Sequence, residues 1–499
     1  MQIVPQPSPQ ASGTPGARPA GHPRGLYTLF LTEMWERFSY YGMRALLVLF
    51  MVDSVRGGLG MTDEVATAIY GLYTAAVYLA ALPGGWVADR LLGAQRSVWY
   101  GGMVIAAGQF TLAFSQGATF YLGLVLVVLG TGLLKPNVSA IVGELYPEGG
   151  ARRDAGFTIF YMGINLGAAL GPLLSSALGE KLNWHYGFAA AGVGMVLGLV
   201  QFRWTARHLG QAGLHPGHGE GAAPKDWLLL AGLVGAIILA TTLVWAGVIR
   251  VNPVSLARGT TYLIVGVALV YFTCAFLFFG LDQTEKKRVA VIAVLFVASA
   301  VFWSGFEQAG SSMNLFAERY TQRVLLSFVI PAGWFQSLGP VFIITLAPIM
   351  AALWLALARR NLDPSLPVKF AWGLVLLGVG FLVMAGAATV AATGRKAWPS
   401  WLILTFLIHS FGELCLSPVG LSSVTKLAPR RLVGQMMGIW FLATSLGNLI
   451  AGRVAGGVSA EAASQMSGRY LQIVFMTLGT GVLLLLLARP IKTLMRGVT

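Results

Sequence analysis

An apolar run at residues 26–52 contains the polar sequence EMWERFSYYGMR at positions 33–44. Six of its side chains share one face of a helix: Glu33, Glu36, Arg37, Tyr40, Tyr41 and Arg44. Their spacing of i, i+3, i+4, i+7, i+8 and i+11 is that of a single helical stripe. A charged side chain at the centre of a bilayer costs at least about 2.5 kcal/mol on insertion scales. We therefore expect this stripe to face a wet cavity or charged partners rather than lipid.

The composition of the whole chain is typical of a membrane protein. Of its 499 residues, 56% are hydrophobic and 11% are charged, whereas a soluble domain has about 25% charged residues. Apolar runs of about 20 residues are long enough to cross a hydrocarbon layer of about 30 Å. The chain has fourteen apolar runs: 26–52, 66–88, 97–114, 119–143, 155–178, 186–206, 227–249, 260–281, 289–316, 331–358, 367–392, 400–427, 434–457 and 470–488. This pattern predicts an all-α polytopic membrane protein and excludes a soluble domain, a disulfide scaffold and a disordered chain.

The net charge of +15 indicates membrane orientation rather than nucleic-acid binding. The basic residues fall mostly in short loops and are concentrated on the side that holds both termini, which the positive-inside rule places in the cytoplasm. Residues 1–24 are rich in Pro, Gly and Ser and contain no apolar signal region, so we predict a disordered cytoplasmic tail. Cys274 and Cys415 lie far apart in apolar runs and are interpreted as small buried hydrophobes.

An internal repeat predicts how the runs are grouped. Lys135-Pro136 is echoed by Ser417-Pro418 at a distance of 282 residues, and Ile159-Phe160 by Ile439-Trp440 at 280. The repeat is offset by eight runs, whereas two six-helix halves would be offset by six, so two helices are inserted between the halves. The predicted organisation is a tail (1–24), a six-helix bundle (25–208), a linker (209–226), two inserted transmembrane helices (227–287) and a second six-helix bundle (288–499).

Three further charges lie well away from the ends of apolar runs: Lys135, Glu307 and Glu413. With the stripe they make four acids against three bases, so one acid is in excess. A buried carboxyl that loses its basic partner becomes a proton acceptor, and this predicts proton coupling. The alternative is that all seven charges form static ion pairs that hold the helices together.

Five motifs resemble the proton-dependent oligopeptide transporter (POT) family of the major facilitator superfamily. They are Glu33-x-x-Glu36-Arg37-Phe38-x-Tyr40-Tyr41-Gly42, Gly84-Gly85-Trp86-x-Ala88-Asp89-Arg90, Gly132-x-x-Lys135-Pro136-Asn137, Phe160-Tyr161-x-x-Ile164-Asn165-x-Gly167, and Gly412-Glu413-Leu414 with Ser417-Pro418. The resemblance implies the major facilitator fold with two extra helices, fourteen in all. It also implies a symporter in the bacterial cytoplasmic (inner) membrane that imports di- and tripeptides with protons by alternating access, without a cofactor or metal.

The resemblance also implies roles for individual residues. The proton-coupling groups would be Glu33, Glu36, Arg37 and Glu307, with Glu307 pairing to Arg44 when deprotonated. Arg44 and Lys135 would receive the carboxylate of the peptide, and Glu413 its amino terminus, with Ser417 nearby. The other site residues would be Tyr40, Tyr41, Tyr78, Tyr161, Asn165, Trp303 and Trp440. The two tryptophans would shape side-chain pockets, although simple packing at helix crossings is an equal alternative.

One position departs from the family pattern. The family usually shows Gln-Ser-x-Asn-Pro where this chain reads Gln336-Ser337-Leu338-Gly339-Pro340, so Gly339 lacks an amide for the substrate. A non-peptide substrate such as nitrate, a drug, a sugar or another small anion is the second transport hypothesis, against which Glu413 argues because an anion needs no acid. An intramembrane enzyme is a third hypothesis, but His409 and Ser410 are adjacent and point about 100° apart on a helix.

Overall fold

The computed structural model describes residues 21–115, 117–148, 150–216, 223–460 and 463–495. The predicted disordered tail and the predicted linker therefore lie partly outside the described residues. The described chain forms sixteen α-helices: α1 (Arg24–Val52), α2 (Asp63–Val87), α3 (Ala94–Ala113), α4 (Ala118–Glu144), α5 (Gly150–Lys181), α6 (Trp184–Thr205), α7 (Pro224–Trp245), α8 (Pro253–Phe278), α9 (Gln283–Phe306), α10 (Ser312–Tyr320), α11 (Leu338–Arg359), α12 (Leu366–Ala392), α13 (Pro399–Leu427), α14 (Val433–Ala460), α15 (Ala463–Leu486) and α16 (Ala488–Leu494).

The fourteen predicted spans correspond to α1–α9 and α11–α15. The short helix α10 continues the span of α9, and the short helix α16 follows the last span. Twelve spans in the described residues are long and apolar enough to cross a membrane. The other two are α1 and α3, with 29 and 20 residues; α1 contains the polar stripe, and both pack against their neighbours in the first bundle. The prediction of an all-α protein with six, two and six membrane helices is confirmed, while the numbered domain boundaries stay predictions.

Local sequence signals begin several helices. The side chain of Thr62 accepts a hydrogen bond from the backbone of Val65 at the start of α2, and Asn252 caps α8 in the same way, with Pro253 as its first residue. At α9, Asp282 and Glu285 form a reciprocal capping box. Such caps satisfy backbone donors that have no partner inside the helix, so they fix where a membrane helix begins.

Three features differ from the predicted runs. The run 289–316 is broken, because α9 ends at Phe306 and a 3₁₀ turn over Glu307–Gly310 separates it from α10. The helix α5 reaches Lys181 rather than residue 178. A short hairpin pairs β1 (Val324–Leu325) with β2 (Phe328–Val329), and its turn holds Leu326 and Ser327 at positive φ.

The two bundles meet along α2 and α14 at a close backbone approach, which we call the glycine seam. A Cβ atom added at Gly71 would lie 3.1 Å from the Cα of Gly452, and one at Gly452 would lie 2.4 Å from the carbonyl oxygen of Thr67. Only glycine allows helix backbones to come this close. The inserted helix α8 packs against both α2 and α14 beside this seam.

The ends of the bundles opposite the termini are joined by polar contacts. Arg319 donates two hydrogen bonds to Asp63, of 2.6 and 2.7 Å. Glu180 accepts from Arg323 at 3.3 Å and from the backbone N–H groups of Ala332 and Gly333 at 2.7 and 2.9 Å. These contacts define the closed end of the molecule.

Candidate functional site

The stripe on α1 is buried and internally paired. Arg37 forms ion pairs with Glu36 and with Glu33, the latter at 3.1 Å. The three side chains are at most 4% exposed, and the guanidinium carbon of Arg37 lies 5.2 Å from the ring centre of Tyr40. The predicted stripe therefore forms, and one base serves two acids. One oxygen of each carboxylate has no hydrogen-bond partner among the described residues, so each acid keeps a site at which a proton can add.

Arg44 connects the first bundle to the second. Its guanidinium forms an ion pair with Glu307, which the 3₁₀ turn after α9 places opposite α1. It also donates a hydrogen bond to the hydroxyl of Tyr70 and lies 5.5 Å from the ring centre of Tyr41. The pairing implied by the resemblance is thus present, and it lies at the junction between the bundles.

Lys135 has a different environment from the two arginines. Its ammonium lies 4.2 Å from the ring centre of Tyr78, a cation–π distance. No carboxylate of the described residues lies within 4.0 Å of it, although it is in electrostatic range of Glu33, Glu36 and Glu307. A base that lies against a ring and has no acid in direct contact is available to an incoming anion.

Glu413 and Ser417 on α13 face the same interior from the second bundle. No cation of the described residues lies within 4.0 Å of Glu413, which is in electrostatic range of Glu307, Tyr41 and Tyr161. The hydroxyl of Ser417 has no hydrogen-bond partner among the described residues. This acid and hydroxyl are thus available to an incoming cation, on the bundle opposite to the one that carries Lys135.

Asn165 and the tyrosines complete the interior. The amide of Asn165 donates to the carbonyl of Tyr161 at 3.0 Å, and Tyr161 is 40% exposed. Tyr40 is buried and stacks on Tyr73, with ring centres 6.2 Å apart. Burial does not separate the predicted proton groups from the predicted substrate contacts. The proton groups are buried, and so are the predicted contacts Arg44, Tyr40, Asn165 and Trp440, whereas Tyr41, Tyr78, Lys135, Tyr161, Glu413 and Ser417 are partly exposed.

Both tryptophans make packing contacts. The side chain of Trp303 lies against Gly447 on α14, and Trp440 fills the space over Gly420 with its ring centre 6.2 Å from that of Phe370. These contacts fit the packing alternative; the pocket-shaping role stays a prediction. His409 is 2% exposed, and a ring nitrogen lies 3.2 Å from the carbonyl oxygen of Leu377, as expected of a structural histidine.

Gly339 has open space around it. A Cβ atom there would meet the ring of Phe406 at 3.9 Å, an ordinary contact, and no other heavy atom of the described residues within 4 Å. The amide nitrogen of the neighbouring Gln336 has no partner among the described residues. The departure from the family pattern therefore leaves room for at least the Cβ atom of a side chain at this position.

The sequence interpretation missed two groups that matter to the site. Tyr70 accepts a hydrogen bond from Arg44. The sequence contained a signal for this residue, because Tyr70, Tyr73 and Tyr78 lie on adjoining turns of α2. Glu180 is a buried acid that the predicted run ended too early to include. Among the described residues, no group of three or more His, Cys, Asp and Glu side chains could hold a metal ion.

Comparison with known proteins gives concordant matches. A model of the POT family matches residues 95–470. The chain is 42% identical to the peptide transporter YePEPT of Yersinia enterocolitica over 98% of both chains, and 36% identical to the di-/tripeptide transporter of Lactococcus lactis subsp. cremoris over 96% of this chain and 97% of that one. A crystal structure of a peptide transporter POT in complex with sulfate superposes with a TM-score of 0.88 at 41% identity, covering 97% of this chain and 98% of the other.

Proposed function

This chain belongs to the POT family, and on that basis we propose that it is a proton-coupled symporter that imports di- and tripeptides by alternating access. The observation that carries the proposal is the placement of unpaired opposite charges on the two bundles. Lys135 on α4 and Glu413 on α13 each lack an ion-pair partner among the described residues. A peptide carries one carboxylate and one ammonium, which complement this pair.

Peptide recognition would then depend on the groups that every peptide shares. Lys135 and Arg44 would bind the carboxylate, and Glu413 would bind the amino terminus with help from Ser417. Charge-assisted hydrogen bonds of this kind are roughly twice as strong as neutral ones. Because they contact the constant ends of the substrate, side chains of many kinds are tolerated, and the distance between the charged ends limits peptide length.

Proton coupling would act through the buried acids. While Glu307 is ionised it holds Arg44, and protonation of Glu307 removes the negative charge from that ion pair. Arg44 is then free to bind the carboxylate of the peptide. On α1, Glu33 and Glu36 both form ion pairs with Arg37. Protonation of one of these acids removes its ion pair and leaves Arg37 paired with the other. Protons are thus the coupling ion, and the proposal needs no metal or organic cofactor.

The direction of opening follows from the closed end. Polar contacts join the bundles opposite the termini, at Asp63–Arg319 and Glu180–Arg323. If both termini are cytoplasmic, as the distribution of basic residues predicts, the closed end faces outward. We place the protein in the bacterial cytoplasmic membrane, where an inward proton gradient drives uptake.

Uptake of a labelled dipeptide into proteoliposomes tests the proposal. An inward acid gradient should produce accumulation above the external concentration, and dissipating the gradient with a protonophore should reduce it to equilibration. Nitrate at millimolar concentration should not compete. Accumulation that is independent of the gradient, or competition by nitrate but not by unlabelled dipeptides, would contradict the proposal.

A further inference from the structure

A charged cavity lies outside the peptide site, where three parts of the molecule meet. It has a volume of about 360 Å³ and is lined by Glu64, Ala68, Val254, Arg258, Ile450, Arg453 and Val454. Glu64 belongs to α2 of the first bundle, Arg258 to the inserted helix α8, and Arg453 to α14 of the second bundle. The cavity therefore lies beside the glycine seam at the closed end.

No ion pair within the described residues neutralises the charges of this cavity. Neither arginine has an acidic side chain of the described residues within 4.0 Å, and Glu64 likewise has no basic partner in the described part of the chain. The walls between them are apolar: Ala68, Val254, Ile450 and Val454. Two cations and one acid above an apolar wall complement a ligand that carries an anion, a hydrogen-bond donor and a hydrocarbon part.

The depth of the cavity matches that of lipid headgroups. Arg258 is five residues from the start of α8 and Arg453 seven from the end of α14, or about 7 and 10 Å along helices that rise about 1.5 Å per residue. The headgroup region extends about 5–8 Å beyond each face of the hydrocarbon core. Around Arg258, α8 exposes Leu256, Tyr262 and Leu263 by 48–65%, so this face of α8 meets acyl chains.

We propose that this cavity binds the headgroup of a membrane phospholipid, with its phosphodiester on Arg258 and Arg453 and a headgroup hydroxyl or ammonium donating to Glu64. Guanidinium groups bind phosphate oxygens through paired, charge-assisted hydrogen bonds. The acyl chains lie along the apolar wall towards the bilayer core.

The site also depends on conformation. At the cavity, α2 and α14 are in backbone contact, since a Cβ at Gly456 would lie 3.1 Å from the Cα of Glu64. Opening of this end separates Glu64 from Arg453 and divides the site. A ligand that binds one state more tightly shifts the population towards that state, so the bound lipid stabilises the closed end. The inserted helix α8 then contributes to lipid binding, because it supplies Arg258, one of the two arginines of the cavity.

Binding is tested with the full-length protein in detergent. Native mass spectrometry during titration with dioleoyl phosphatidylglycerol should show one tightly retained lipid, and R258Q and R453Q should each weaken its retention about tenfold, the loss of one charge-assisted contact. Arg250→Gln is the matched control, because Arg250 is an exposed arginine in the loop before α8 that does not line the cavity. Dioleoylglycerol lacks the phosphate and should bind at least tenfold more weakly.

The link to conformation is tested by spin labels at Val55 and Leu326, which are 88% and 95% exposed on opposite bundles at the closed end. With Cys274 and Cys415 replaced, phosphatidylglycerol should increase the short-distance population, and R453Q should abolish that increase. Equal lipid retention in R258Q, R453Q and R250Q would overturn the proposal. Full displacement of the lipid by inorganic phosphate would also overturn it, since the site would then be one for a free anion. An unchanged distance distribution would overturn the conformational link.

Discussion

Replacing Glu307 by glutamine removes the charge that joins Arg44 to the second bundle. The two side chains are 6% and 8% exposed, and loss of one partner from a buried ion pair costs about 3–5 kcal/mol. Glutamine has the same size as glutamate and can still accept a hydrogen bond, so we use the lower end of this range, about 3 kcal/mol, for the stabilisation that is lost. Since 1.4 kcal/mol corresponds to a factor of ten, the population of the conformation in which this end is closed should fall about a hundredfold relative to the one in which it is open.

The expected functional result is a loss of coupling with retention of exchange. Glu307→Gln cannot release a proton, so accumulation of a labelled dipeptide in proteoliposomes under an inward acid gradient should fall to equilibration. Counterflow, in which unlabelled internal peptide drives labelled peptide inward, needs no net proton movement and should persist in part. Measuring both in the same vesicles separates a coupling defect from a protein that is misfolded.

Asp63→Asn is the matched control. Asp63 also joins the bundles, through Arg319, but these side chains are 12% and 32% exposed, and a partly exposed ion pair contributes about 1 kcal/mol or less. This variant should keep proton-driven accumulation. Uphill uptake by Glu307→Gln at the wild-type level would refute the role of Glu307, and equal losses in both variants would show that the bundle contact, rather than the titrating acid, is what matters.

Three further outcomes are expected. A dipeptide with an amidated C-terminus should compete for uptake at least tenfold more weakly than the free dipeptide, because Lys135 then has no carboxylate to bind; equal inhibition would contradict this. Gly339→Asn should fold normally, since a Cβ atom at this position meets only Phe406, at an ordinary distance. It should change the KM for dipeptides, and an unchanged KM would show that the position does not affect peptide binding. Burial alone would raise the pKa of Asp53, but hydrogen bonds from the Trp184 indole and neighbouring backbone N–H groups hold it below its ordinary value. Its stabilising effect is therefore complete above about pH 4 and is lost as the pH falls through the native pKa, so the apparent Tm in detergent should fall more steeply in acid for wild type than for Asp53→Asn.

The sequence predicted the spans and the polar interior because both depend on the cost of a charge in lipid. Because of that cost, Glu33, Arg44 and Lys135 could be assigned to an interior site from the sequence alone. Partners between distant helices were a different matter: composition and spacing do not indicate that Arg44 on α1 donates a hydrogen bond to Tyr70 on α2, since that contact depends on how the helices pack.

Other features depended on tertiary contacts that leave little local signal. The break after Phe306 interrupts a run whose apolar residues continue to 316, and it is this break that places Glu307 against Arg44. Glu180 lies just beyond the predicted run 155–178, where a charge normally marks the membrane surface. Here α5 continues, and Arg323 with two backbone N–H groups from the second bundle satisfies the carboxylate.

The position of the glycine seam has a mechanical consequence. Gly71 lies near one end of α2, with sixteen residues, or about 24 Å of helix, between it and Val87 at the other end. When this end opens, a tilt of α2 by about 10° about its Val87 end moves Gly71 about 4 Å away from α14. One extra methyl group at Gly71 would lie 3.1 Å from the Cα of Gly452, so a very small change in volume there keeps the two helices from reaching their closed contact.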